Sequence, residues 1–84
     1  MAIKDDFEKA QVDVKTLTTK PDNATLLELY ALYKQGTEGD AAGRRPGIMD
    51  PVGRAKFDAW GAKKGASNED AMKAYVAYVN KLLG

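Results

Sequence analysis

"GTEGDAAGRRPGIMDP" (Gly36–Pro51) is the stretch on which the fold turns. Glycines at 36, 39, 43 and 47, with Pro46 among them, leave no helical or alternating periodicity, so it reads as a loop. It is longer than most helix–helix connections. A short link makes neighbouring helices antiparallel, whereas one this long can carry the chain back so that the next helix starts parallel to the last. Its end is marked by Asp50-Pro51, a capping side chain followed by proline at a first helical position.

Helices read outward from this loop in both directions. Downstream, Phe57 and Trp60 fall at i, i+3 in a third helix expected to end at Gly65, a left-handed C′ residue. Ser67 is the expected cap of a fourth, with Met72, Tyr75, Val76, Val79 and Leu83 on one stripe. Upstream, "LLELYALYKQ" (Leu26–Gln35) places Leu26, Leu29, Tyr30 and Tyr33 on one side of a second helix, capped by Asp22 or Asn23 and running to about Gly36. The first begins near Asp5, where Asp5 and Glu8 have capping-box spacing, and carries Phe7, Ala10, Val14 and Leu17. Lys20-Pro21 is its expected end, because a residue before proline is pushed out of the α region. Nothing reads as a strand. The expected class is all-α, with four helices and one long crossover.

Composition removes whole classes of function. Eighty-four residues suit a single domain, 1–84, with no bulk to spare for an enclosed active site. A net charge of +1 argues against a nucleic-acid binder with a broad basic face, so any cationic site is local. With no cysteine and no histidine, disulfides, thiolate chemistry, the common zinc sites and His-activated nucleophiles all fall away. No metal site and no resident cofactor are expected. "MAIKDDFEKAQVDV" (Met1–Val14) lacks the apolar core of a signal peptide, and no run is long enough for a membrane span, so a soluble cytoplasmic protein is expected.

The carboxylates sit at helix starts and on polar faces, where capping and solubility explain them, and no pair is forced together by spacing. "GRRPG" (Gly43–Gly47) matches no phosphate-binding fingerprint. The cations say more. Lys34 shares a face with Tyr30, Lys56 precedes Phe57 on the side that carries Trp60, and Lys15 lies beside Val14. Taken singly, each is an ordinary stripe-edge lysine with its stem on apolar surface and its head in water, and Tyr30, Tyr33 and Tyr75 are core residues with a rim hydroxyl. Taken together, three helices offer lysines near phenols and apolar stripes in a nearly neutral chain. That set suits a ligand with a flat ring, several phosphates and an apolar tail, stacked by aromatics and held by charge-assisted hydrogen bonds.

"YALYKQGTEGD" (Tyr30–Asp40), "RPGIMD" (Arg45–Asp50), "GRAKFDAW" (Gly53–Trp60) and "NEDAMKAYV" (Asn68–Val76), in this order and separation, resemble the acyl-CoA-binding protein family over nearly the whole chain. The resemblance implies an up-down-down-up four-helix bundle with an overhand loop between helices two and three. It implies a monomeric carrier and pool former for long-chain fatty acyl-CoA thioesters, not an enzyme, in transient contact with membranes or acyl-CoA-using enzymes. It gives Tyr30, Tyr33 and Lys34 to the adenine and ribose 3′-phosphate, and Lys56 to the same phosphate. Tyr75 and Lys15 would join the head-group site, and Leu26, Leu27, Leu29 and Ala55 would wall the acyl groove. Three positions depart from the family pattern: Val52 stands for a common lysine, Phe57 for a tryptophan, and Gln11 for a small residue, which is expected to narrow or re-polarise the tail groove. The family's lysine-rich extension after the fourth helix is also missing.

A competing reading from another class is a small helical protein-interaction module presenting Trp60 and the tyrosines to a partner helix. A helix-turn-helix is disfavoured, since Arg44-Arg45 and Lys63-Lys64 are the only adjacent basic pairs. A thioesterase lacks an identifiable activated nucleophile or base.

Overall fold

The computed structural model describes residues 2–84, which form α1 (Ile3–Asp13), α2 (Asn23–Glu38), α3 (Pro51–Gly61) and α4 (Asn68–Leu83), with a 3₁₀ turn at Val14–Thr16. Asp22 caps α2 by accepting the Thr25 N–H at 2.8 Å, Asp50 caps α3 through Gly53 N–H at 3.0 Å, and Ser67 caps α4 through Asp70 N–H at 3.0 Å. These are three of the four caps expected from sequence, with Asp22 rather than Asn23 serving α2, and each satisfies a first-turn amide that the helix itself cannot.

Cross-helix contacts give the direction of each rod. Lys56 lies over Tyr30, and Trp60 meets Lys34 and then Gly39, so α2 and α3 ascend together and are parallel. Asn68 at the start of α4 donates to the carbonyls of Gln35 and Gly36 at the end of α2, so that pair is antiparallel. Phe7 packs on Tyr75, while Asp13 shares a cleft with Asn80, so α1 and α4 run the same way. The result is the up-down-down-up bundle, and Gly39–Asp50 is its crossover.

The core lies between α1, α2 and α4: Phe7, Ala10, Leu29, Leu32, Tyr75 and Val79, with Val14, Met72, Val76, Tyr78 and Leu82 packed around it. At about 25 cal/mol per Å² of apolar surface removed from water, this cluster is the main source of stability. By contrast, α3 has no buried residue. It packs on α2 alone.

Four boundaries differ from the sequence reading. Helix α1 starts at Ile3, two residues before Asp5, with Ala2 at the cap and no side-chain cap bond. Asp5 and Asp6 instead occupy the first turn, where a carboxylate still favours the positive end of the helix dipole. The helix gives out at Asp13, well before Pro21: Thr16 Oγ1 back-bonds to Asp13 O at 2.6 Å, and Leu17 turns extended with ψ 130°. Helix α2 runs on to Glu38, stopped by Gly39 at φ 83°. Helix α3 ends at Gly61 and continues as turns to Gly65, whose φ of 95° is the left-handed one expected. On α4, Leu83 is 44% exposed and Leu82 takes the core place expected of it.

The stripe of α2 also sits differently. Leu29, Ala31, Leu32, Gln35 and Gly36 are its buried residues, whereas Leu26 and Tyr33 are 38% and 39% exposed. Helix α2 packs against α4 on one side and α3 on the other. Leu26, Tyr30 and Tyr33 therefore form an open edge beside the core line.

Candidate functional site

Two open grooves meet along that edge. The first, about 370 Å³, is lined by Val14, Lys15, Pro21, Leu26, Leu29, Tyr30, Tyr33 and Tyr75. The second, about 420 Å³, lies between the first halves of α2 and α3, lined by Asn23, Leu26, Leu27, Tyr30, Pro51, Val52, Ala55 and Lys56. Leu26 and Tyr30 belong to both, so a single molecule can lie across the ridge they form. The first groove holds phenols and an ammonium; the second is mostly apolar with one ammonium at its edge.

Each side chain is placed by its element. Parallel α2 and α3 bring Lys56 Nζ to 5.4 Å from the Tyr30 ring centroid. That is a cation–π distance. No ion pair holds Lys15 or Lys56 among the described residues, so both heads are available to an anion. Lys34 is engaged: its ammonium pairs with Glu38 one turn on and lies 4.9 Å from the Trp60 ring centroid. The hydrogen bond to Glu38, reinforced by the charges of Glu38 and the nearby Tyr30 and Tyr33, raises its pKa against the opposing cost of burial. Lys34 is thus a cation at neutral pH. Tyr75 is buried beneath the first groove, and burial, with Tyr33 adding to it, pushes its phenol up, so it stays a neutral O–H donor.

Most residues expected from sequence line the two grooves. Lys15, Tyr30, Tyr33 and Tyr75 share the first and Leu26, Leu27, Ala55 and Lys56 the second, whereas Lys34 lines neither and is held at Glu38 and Trp60. Leu29 is the exception in kind: at 6% exposure it is a core residue showing only an edge to the first groove. Gln11 lines neither groove, contrary to its expected effect on the tail groove. It lies in a separate cleft with Phe7, Tyr33, Gly36 and Met72, and its amide reaches the Phe7 carbonyl at 3.4 Å. The reason is its place along α1: Gln11 lies one turn before Val14 and meets the far half of α2, at Tyr33, Gly36 and Thr37, rather than Leu26 and Leu27. Val52 does line the second groove, where its isopropyl adds apolar wall.

Sequence reasoning missed the groups that hold α3 and the crossover in place. The Trp60 indole N–H donates to Gly39 O at 2.7 Å, Lys63 pairs with Glu28 at 2.5 Å, and Arg45 makes a two-pronged bond to Asp58 at 2.9 and 2.6 Å. Gln35, fully buried, donates to both Asp40 and Ala66 O at 2.8 Å, and Asp40 also accepts Gly65 N–H at 2.9 Å. These bonds, that from Gly65 above all, hold the Asp40 carboxyl below its usual range. No local pattern advertises such pairings, since their partners lie 5 to 35 residues away.

A larger depression, about 520 Å³, adjoins the first groove at Pro21 and lies between Thr16–Asp22 and Leu82–Leu83. It has one lysine and no aromatic ring, so it lacks the chemistry of the α2–α3 side. No group of histidine, cysteine or carboxylate side chains among the described residues is arranged to hold a metal ion, and no helix among them is long and apolar enough to cross a membrane.

The comparisons with known proteins agree with one another. The family described as "Acyl CoA binding protein" matches residues 4–79. Acyl-CoA-binding protein homolog 1 of Caenorhabditis elegans is 53% identical over 77 residues, covering 92% of this chain and 90% of its own. An acyl-CoA-binding protein homolog of Manduca sexta is 49% identical, covering 99% and 93%. The crystal structure of Oryza sativa acyl-CoA-binding protein 2 superposes with a TM-score of 0.93 at 41% identity, over 98% of this chain and 91% of that one.

Proposed function

The chain belongs to the acyl-CoA-binding protein family, and from that premise we propose that it is a single domain that binds long-chain acyl-CoA thioesters, carrying and storing them without doing chemistry. The observation that carries this reading is the pair of grooves sharing Leu26 and Tyr30, one rich in phenol and ammonium groups and the other apolar. The adenine would stack among Tyr30 and Tyr33. The ribose 3′-phosphate would draw on Lys34 and Lys56, and Lys15 and Tyr75 would face the rest of the head group. The acyl chain would follow Leu26, Leu27 and Ala55, with Leu29 closing the floor from the core side.

Each charge-assisted bond contributes about 1.5–3 kcal/mol and each buried methylene about 0.8 kcal/mol. Ordering the ligand and losing its rotational freedom offset part of both. The thioester should then bind more tightly than either of its halves. Neither groove is lined by a carboxylate, which supports a carrier. The carrier is read as a cytoplasmic monomer that meets membranes and acyl-CoA-using enzymes transiently.

Calorimetry with palmitoyl-CoA, CoA and palmitate tests the proposal. Tight binding of palmitoyl-CoA alone is expected. Palmitate binding as well as its CoA ester would overturn the head-group assignment.

A further inference from the structure

The crossover ends in an apolar tip that the carrier reading leaves unexplained. Ile48 and Met49 are 80% and 92% exposed, and Val52, 64% exposed, continues from them into the wall of the second groove. Leaving such side chains in water costs about 1.5–3 kcal/mol each relative to burying them. Their exposure therefore asks what covers them. We propose that this tip is a lipid-docking surface: Ile48 and Met49 enter the boundary between headgroups and acyl chains of an anionic bilayer, at the mouth of the second groove.

Three observations favour a bilayer over a protein. Between positions 44 and 56 the chain carries Arg44, Arg45, Arg54 and Lys56 against the single carboxylate of Asp50, although the whole protein has a net charge of only +1. Arg45 is tied to Asp58, which leaves Arg44, exposed and without an ion pair among the described residues, as the nearest free cation before the tip. A basic segment beside protruding apolar side chains matches an anionic interface, where each such cation contributes about 1 kcal/mol. A stable protein interface needs some 20–30 residues a side, and a tip of a few side chains is too small for one. The third observation is continuity. Val52, three residues beyond Met49, lines the second groove with Leu26, Leu27 and Ala55, so the tip adjoins the groove wall along the chain. Only this last point rests on the acyl-CoA reading; docking itself does not.

The test is co-flotation of ligand-free protein with vesicles of phosphatidylcholine, alone or mixed with phosphatidylserine, beside calorimetry with palmitoyl-CoA in vesicle-free buffer. Ile48→Ser/Met49→Ser should weaken partitioning onto the mixed vesicles about tenfold or more, and Arg44→Gln about fivefold. Neither should change the calorimetric affinity or the melting temperature. Wild-type protein that fails to float, or serine and wild-type proteins that float equally, would overturn the proposal. So would a wild-type dimer in sedimentation that the serine substitutions dissolve, since the tip would then cover a second copy. If palmitoyl-CoA failed to bind while flotation still responded to the serines, the carrier reading would fall and the docking surface would stand.

Discussion

The two sides of α2 are built on different terms. Toward α1 and α4, Leu29, Leu32, Gln35 and Gly36 are sealed against Phe7, Met72, Tyr75 and Val79. Even a methyl added to Gly36 would crowd Met72 at 3.2 Å and Phe7 at 3.3 Å. On the edge between α1 and α3, Leu26, Tyr30 and Tyr33 stay partly open, the Tyr33 ring lying against Phe7, and α3 contributes no buried side chain. It is held instead by discrete polar bonds at Trp60, Lys63 and Arg45. Stability is concentrated on one side of the helix, which leaves the other free to be a surface for something else. A sealed α2–α3 interface would be more stable and would have no groove.

Substitutions on the two sides should therefore fail in different assays. The largest effect on folding is expected at Leu32→Ala, a cavity in the sealed side costing about 2–5 kcal/mol. Urea denaturation would measure it, and for a domain this small it is a large share of total stability. Lys34→Ala should do the opposite. Palmitoyl-CoA affinity is expected to fall about 10- to 100-fold by calorimetry, the equivalent of one charge-assisted bond. Melting of the ligand-free protein should barely move, because an ion pair four residues apart on a helix contributes only about 0.3–0.5 kcal/mol. If Lys34→Ala unfolded the protein as Leu32→Ala does, the contrast between the two sides would collapse.

Trp60→Phe sharpens the comparison, since it removes only the bond to Gly39 and keeps an aromatic wall. A loss of about 1 kcal/mol is expected, with faster amide exchange in α3 than in α4. The smallest effect concerns Asp40. Its pKa is depressed in the fold by the Gly65 N–H and the Gln35 amide. Its charge therefore adds stability above the ordinary carboxylate value of 3.8 and loses it as the pH falls through the lower folded value. Wild type should be more stable than Asp40→Asn at neutral pH, and the gap should close in acid. A gap independent of pH would mean that the side chain's shape, not its charge, matters.

How much of this was legible depended on how local the cause was. The caps at Asp22, Asp50 and Ser67 and the crossover length are written in a few adjacent residues, and with them the helix count and the parallel pair. The stripe of α2 was half legible. Apolar spacing identified Leu26, Leu29, Tyr30 and Tyr33, but a helix with neighbours on two sides has a wider buried arc than one stripe shows, so the core line through Leu32 and Gly36 was not seen. The six head-group candidates were singled out by spacing and given their roles by the resemblance; five of them line the two grooves, and Lys34 lines neither. The Gln35–Asp40–Ala66 junction and the Trp60–Gly39 bond were invisible because they exist only after α2, α3 and the turn before α4 have met. Gln11 was assigned to the tail groove by the resemblance alone, and the fold puts it in a separate cleft beside Tyr33 and Gly36.

The central claim is that the open side of α2 is where the ligand lies. Titrating ¹⁵N-labelled protein with palmitoyl-CoA and following every amide tests it most directly. The account predicts the largest shifts along Leu26–Lys34 and Ala55–Lys56, with further shifts near Lys15 and Tyr75. Shifts concentrated instead around Thr16–Lys20 and Leu82–Leu83, in the larger depression, with none along Leu26–Lys34, would contradict it.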